Sequence, residues 1–236
     1  MESITATFLK YADKQCGGFG KAPKFPQTFS IQFLLRQFYF TKDNAALNQA
    51  LLSLDKMIFG GLYDQLGGGF ARYCTDDEWH IPHFEKMLYD NALLISVVSE
   101  AFQLTGKQLY QQVLEQTMSF IQNEWQSPLG GFYTAYDADS EGVEGKFYTW
   151  SKKEIDSVLG SDAELFCDYY QITDEGNWEG TNILWVRETL NNFCIIKKIN
   201  EEETAMLIDS CKKKLLAIRA HQIGRASCRE RVSSPV

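Results

Sequence analysis

The sequence predicts a mainly α fold of helical hairpins arranged as a toroid, with short β insertions. Apolar residues recur at helical spacing over long stretches, and glycine-rich connections separate those stretches. A Gly-Gly pair followed by an aromatic or apolar residue opens three blocks, at Gly17, Gly60 and Gly130. Helical pairs that keep returning to one glycine- and aromatic-rich loop face are what a ring of α-hairpins requires.

Ser30 to Phe40 follows Pro26 and is dense in apolar residues, so it reads as a helix. Asp43 to Phe59 places Leu47, Leu51, Leu54 and Ile58 on one helical face, and Gly60-Gly61 stops it. These two form a first hairpin. Pro82 is expected to open the next helix, which carries Phe84, Met87, Leu88, Leu94, Val97, Val98 and Phe102 and ends near Gly106. A helix this apolar belongs inside. Lys107 to Trp125 follows, closed by Pro128, and completes a second hairpin. Gly131 to Trp150 reads as short strands in a long connection. Ser151 to Glu154 reads as a capping box, and Ser161 to Glu164 repeats its pattern. A turn at Gly176 to Gly180, a short strand at Asn182 to Val186 and a helix from Glu201 to Ala220 complete the series.

Composition bounds the function. The 236 residues are 44% hydrophobic and 14% aromatic, enough for a sizeable core. A net charge of -8 gives no footprint for nucleic acid. The basic run Lys212 to Lys214 follows an acidic helix start, Glu201 to Glu203, and complements the helix dipole. Six scattered cysteines without a Cys-x-x-Cys pair fit reduced thiols in the cytoplasm. No apolar run approaches the roughly 18 residues that span a bilayer, so no membrane insertion is expected. Gln222 to Val236 lacks apolar periodicity and reads as a non-native or disordered tail, leaving residues 1–221 as the domain.

Gly60 to Leu94, GGLYDQLGGGFARYCTDDEWHIPHFEKMLYDNALL, reads as the site-building loop. It joins glycines, aromatics and carboxylates to two of the three histidines. His83 and Asp90, two helical turns apart, would share a face, with Glu85 pointing elsewhere unless the first turn is irregular. Imidazole beside carboxylate suits general acid–base work on a sugar or carbonyl carbon. The plain alternative is that His83 and Glu85 cap the helix. Asp137, Asp139, Glu141 and Gly142 occupy positions one, three, five and six of a calcium loop, but Tyr148 stands where the bidentate Glu is needed, so no metal is expected. These acids read as turn formers or cleft-lining groups. Asp64 with Asp137 or Asp139 is a further pairing, suited to glycoside cleavage. Tyr63, Phe70, Tyr73, Trp79, Phe132, Tyr133 and Tyr136 offer faces for sugar rings or, equally, core. Cys74 reads as an ordinary thiol.

The blocks GGFGKAPKFP, GGLYDQLGGGFARYCTDDEWHIPHFEKMLYDN and GGFYTAYDADSEGVEGKFYTWSKKEI resemble those of the YyaL-like and spermatogenesis-associated thioredoxin-like protein family. The resemblance runs from Met1 to about His221. It implies a six-hairpin α/α barrel akin to N-acylglucosamine 2-epimerases and six-hairpin glycosidases, preceded by a thioredoxin-like domain. This chain then supplies a partial (α/α)6 toroid, about the first half, without the thioredoxin-like domain or the second half of the ring. Half a ring is expected to expose apolar faces and to be inactive alone. The matching blocks nominate Tyr63, Asp64, Arg72, Trp79, Asp137, Asp139 and Glu141 as substrate-binding residues, and His83, Glu85 and Asp90 as catalytic ones. A carbohydrate-like small molecule is the implied ligand, with no cofactor. The alternative is a non-catalytic scaffold beside the thioredoxin-like domain.

Overall fold

The computed structural model describes residues 2–222. The expected tail lies outside them, apart from Gln222. The helices are α1 (Glu2–Tyr11), α2 (Thr28–Thr41), α3 (Asn44–Phe59), α4 (Leu88–Thr105), α5 (Gln108–Phe120), α6 (Lys152–Leu159), α7 (Ala163–Tyr169), α8 (Leu190–Lys197) and α9 (Glu201–Gln222). The fold is mainly α, as the apolar spacing predicts.

Two hairpins are cut by local chemistry. Lys42 turns left-handed and returns its N–H to Phe38, ending α2, and the Asp43 carboxylate accepts the Ala45 N–H at 2.9 Å to start α3. Gly106 does the work of Lys42 between α4 and α5, with φ of 66° and its N–H on Phe102. The hairpins pack around Leu34, Leu35, Leu54, Met57, Leu94, Val98 and Val113, and the small Ala46, Ala50 and Ala101 let their backbones approach. A second core holds Trp150, Ile155, Phe166, Tyr170, Ile208, Cys211 and Leu215 from α6, α7, α9 and their loops. Phe59, at the end of α3, packs against both cores.

Short antiparallel pairs stitch the loops. β1 (Tyr73–Cys74) pairs with β2 (Pro82–His83), β3 (Lys86–Met87) with β4 (Ala135–Tyr136), and β5 (Asp139–Ser140) with β6 (Val143–Glu144). The β3–β4 pair joins the loop after α3 to the loop after α5, so the two glycine-rich blocks form one face. Asn91 locks this face to α4. Fully buried, it accepts the Phe70 N–H at 2.7 Å and donates to the carbonyls of Phe70 and Met87, each at 2.9 Å.

Several expectations are corrected. The helix expected at Pro82 starts at Leu88, because residues 81–87 are extended and alternate in burial, with Pro82, Phe84 and Lys86 inside. A buried lysine in the apolar register hides that period of two. The capping box at Ser151 and Glu154 is present, whereas Ser161 lies in a single 3-10 turn and α7 begins without a side-chain cap. Asn182 to Val186 forms no strand, only a bridge from Asn182 to Trp150. Residues 121–125 continue α5 as a π-helical turn. The helices α1 and α8 had no sequence prediction.

Replacing Asn91 with Leu strands the Phe70 backbone groups. At about 1–3 kcal/mol for each of the two unsatisfied buried groups, the variant is expected to lose about 2–6 kcal/mol. A urea midpoint that falls with an unchanged slope is the expected reading.

Candidate functional site

Asp64 follows the Gly60-Gly61 stop, and its side chain folds back on its own turn. The Oδ1 atom accepts the N–H groups of Leu66 at 3.1 Å and Gly67 at 3.0 Å. This aims the carboxylate at two cations from distant parts of the chain. Lys86 of β3 donates to Oδ2 at 2.9 Å and to the Gly68 carbonyl at 2.8 Å. Arg219, near the end of α9, grips both oxygens, Nη1 to Oδ1 at 3.1 Å and Nη2 to Oδ2 at 2.8 Å. Glycine is required beside them: a Cβ on Gly67 would stand 2.2 Å from Arg219 Nη2, and one on Gly68, at φ of 75°, 2.8 Å from the Gln116 carbonyl oxygen.

All three charges are buried, with side-chain exposures of 2% for Lys86, 7% for Asp64 and 8% for Arg219. Burial works against the ionised carboxylate, but Arg219 and Lys86 outweigh it and hold Asp64 well below the usual carboxylate range. Burial also pulls Lys86 down, to about 8, against the opposing pull of Asp64. Aromatic faces complete the shell. Lys86 Nζ lies 4.3 Å from the Phe120 ring centre and 4.9 Å from that of Tyr148, and the Arg219 guanidinium lies 4.9 Å from Phe147 and 5.5 Å from Tyr148.

These groups border a cavity of about 460 Å³ between α5 and α9. The π-helical turn brings Glu124 to its edge, where Tyr136 donates to the Glu124 carboxylate at 3.1 Å and to the Glu124 carbonyl at 2.8 Å. Gln116 and Ser119 add polar groups from α5. The opening thus offers ring faces, an amide, hydroxyls and a carboxylate around a fixed cationic floor.

The nominated residues separate in space. Asp64 borders this cavity, and Tyr63 is buried beside it, its hydroxyl on Gln116 Oε1 at 2.7 Å. Trp79 is fully buried with its N–H on the Cys16 carbonyl at 2.8 Å, under the buried Lys24 that pairs with Asp13. Its place is core. His83 sits on β2 rather than on a helix, stacked on Tyr73, with Nδ1 2.8 Å from a Glu144 carboxylate oxygen. It therefore shares no helical face with Asp90. Glu85 pairs with Arg72 at 3.0 Å. Asp90 lies half-buried near that pair, and burial raises its carboxyl to about 6 despite Arg72.

The acids after β4 are also accounted for locally. Asp137 accepts the Asp139 N–H at 3.1 Å, and Glu141 pairs with Lys146, all on an exposed hairpin. Asp64, which accepts five hydrogen bonds, has no capacity left for a proton, and neither Asp137 nor Asp139 reaches its cavity. The pairing for glycoside cleavage is not assembled. Cys74 is buried and its thiol is pushed well up by burial, the behaviour of an ordinary thiol.

No family model matches the chain. Among individual proteins, spermatogenesis-associated protein 20 of Homo sapiens is 35% identical over 240 residues, covering 89% of this chain and 30% of the relative, and that of Mus musculus is 34% identical over the same span. The chain belongs to the spermatogenesis-associated protein 20 family. It spans about 30% of the length of these relatives. Solved structures that share the fold include a cellobiose 2-epimerase from Spirochaeta thermophila, at TM-score 0.52 and 20% identity over 57% of this chain and 36% of that one, and a sugar epimerase from a ruminal bacterium, at TM-score 0.52 and 15% identity over 69% and 46%. Both are six-hairpin α/α barrels, and the hairpins described above belong to that architecture.

For this spermatogenesis-associated protein 20 relative, sequence reasoning missed Lys86, Arg219, Glu124, Gln116 and Tyr148. One signal was available: Lys86 and Arg219 each interrupt an apolar helix or strand register, where a charge must find a partner.

Asp64→Asn leaves two buried cations facing each other and is expected to cost about 3–5 kcal/mol, whereas Lys86→Met costs less because Arg219 still holds the carboxylate. Denaturant midpoints of the two variants check the order. A second expectation concerns pH. Because the folded Asp90 carboxyl is raised to about 6 from 3.8, its protonation stabilises the fold fully below about pH 4, and that stability is lost as pH rises through 6. Discounted for half exposure, Asp90→Asn should raise stability at pH 7 by about 1 kcal/mol and flatten the slope between pH 4 and 6. Urea midpoints across that range measure it.

Proposed function

We propose that this chain contributes to a barrel that binds a neutral, carbohydrate-like small molecule in the cavity over Asp64, Lys86 and Arg219, and that the complete protein transforms it. The carrying observation is the charge balance. Lys86 and Arg219 are matched by Asp64 and Glu124, with Glu115 on the rim, so the cavity holds no surplus cation for a phosphate or a sugar acid. Phe120, Tyr136, Phe147 and Tyr148 supply ring faces, and Gln116, Ser119 and Tyr136 supply hydrogen-bonding groups. Apolar faces with a few fixed polar groups suit sugar C–H and O–H surfaces. Likeness to sugar epimerases in fold supports the reading without choosing the reaction. The free cysteines, mostly buried, support a reducing, cytoplasmic setting.

One observation favours a second reading, a non-catalytic binding or scaffold barrel: Asp64 is saturated, and His83, Glu85 and Asp90 stand outside the cavity. The half-buried Glu124 keeps one carboxylate oxygen for a substrate proton, as does Glu115 on the rim.

Calorimetric titration of the protein that carries this chain with glucose, mannose, glucuronate and glucose 6-phosphate separates these readings. Neutral sugars are expected to bind best, and Phe147→Ala should weaken them about tenfold while the protein still melts cooperatively. Preference for the anionic sugars, or no sugar binding, refutes the neutral-sugar site. NMR of the sugar C1 and C2 signals then reports turnover, and binding without any spectral change would leave the non-catalytic barrel.

A further inference from the structure

A second cavity of about 570 Å³ lies along the same two helices, α5 and α9, on the other side of the Tyr63–Gln116 hydrogen bond. Gln116 borders both cavities. Gln108, Gln112 and Gln116 follow one another at four-residue spacing, so their amides rise in a row along one face of α5. From Gln108 to Gln116 the row covers about 12 Å at about 1.5 Å per residue. The amides of Gln108 and Gln112 make no hydrogen bond among the described residues. Tyr169 lines the same cavity, as do Lys212, Asp209 and Glu201 of α9; Asp209 pairs with Lys213, and Glu201 accepts from the Asn191 amide.

We infer that this second cavity is a subsite for further units of an oligosaccharide, so that the ligand is a sugar chain running along α5 from the first cavity. The inference rests on the sugar-binding reading above and extends it. A side-chain amide offers a donor and an acceptor side by side, the pattern that vicinal hydroxyls present in reverse. A row of such amides, with Lys212 and Glu201 of opposite charge in the same lining, matches a neutral repeating polyol. A helix that presents an apolar face is a poorer occupant, since it would bury the Gln108 and Gln112 amides without partners.

The test compares glucose with cellobiose, cellotriose and maltotriose in calorimetric titrations of the protein that carries this chain. At least one trisaccharide is expected to bind ten times more tightly than glucose. The double substitution Gln108→Leu and Gln112→Leu, at two exposed positions, should cut that gain to less than twofold and leave glucose affinity and melting temperature unchanged. Glucose binding with no gain from chain length overturns the subsite and leaves the single-sugar site standing. A gain that survives the double substitution overturns the role of the amide row. Failure of every sugar to bind removes both readings together.

Discussion

The loop face depends on one constraint: a charge taken out of water must meet its opposite within the fold. Lys86 and Arg219 are buried among mostly apolar neighbours, and Asp64 answers both. Such a cluster adds little net stability compared with well-packed apolar groups, but removing one member leaves an unpaired buried charge. It therefore specifies an arrangement more than it strengthens one. Arg219 can reach Asp64 only if α9 lies beside the turn after α3, and Lys86 only if β3 runs extended beneath it. The glycines at 67 and 68 are the space this needs.

The cavity follows from that arrangement. Once Arg219 is fixed, α9 faces α5 across a gap, and the aromatic side chains that shield the cations become its walls. The β3–β4 pair holds Lys86 opposite Tyr136, so the same backbone ladder places a floor cation and a wall phenol. Glu124 enters because the π-helical turn shifts the end of α5 away from a regular helical register. Binding surface and structural support are thus the same residues seen from two sides.

Much of the fold was legible in the sequence. The spacing of Leu47, Leu51, Leu54 and Ile58 marked α3, Ser151 and Glu154 marked the start of α6, and the aromatic turns after Gly130 marked short strands. The start of α4 was not legible, because Pro82 suits a helix's first turn as readily as a strand end, and only the partner strands decide. The site was less legible still. His83, Glu85 and Asp90 form a conspicuous local group, yet pairing with Glu144 and Arg72 places them outside the cavity. Lys86 and Arg219 look unremarkable singly, since what defines them is a partner far away in the chain.

That distance has a consequence for the order in which the molecule takes shape. Asp64 and Arg219 are separated by 155 residues in sequence, while the α2–α3 and α4–α5 hairpins close over a few residues each. Short loops close at small entropic cost and long ones at greater cost. On a ribosome, α9 emerges after both hairpins and the glycine loop. The turn that presents Asp64 can therefore form early and meet Lys86, only 22 residues on, but its carboxylate must wait for Arg219, and the floor of the cavity is completed only when α9 docks.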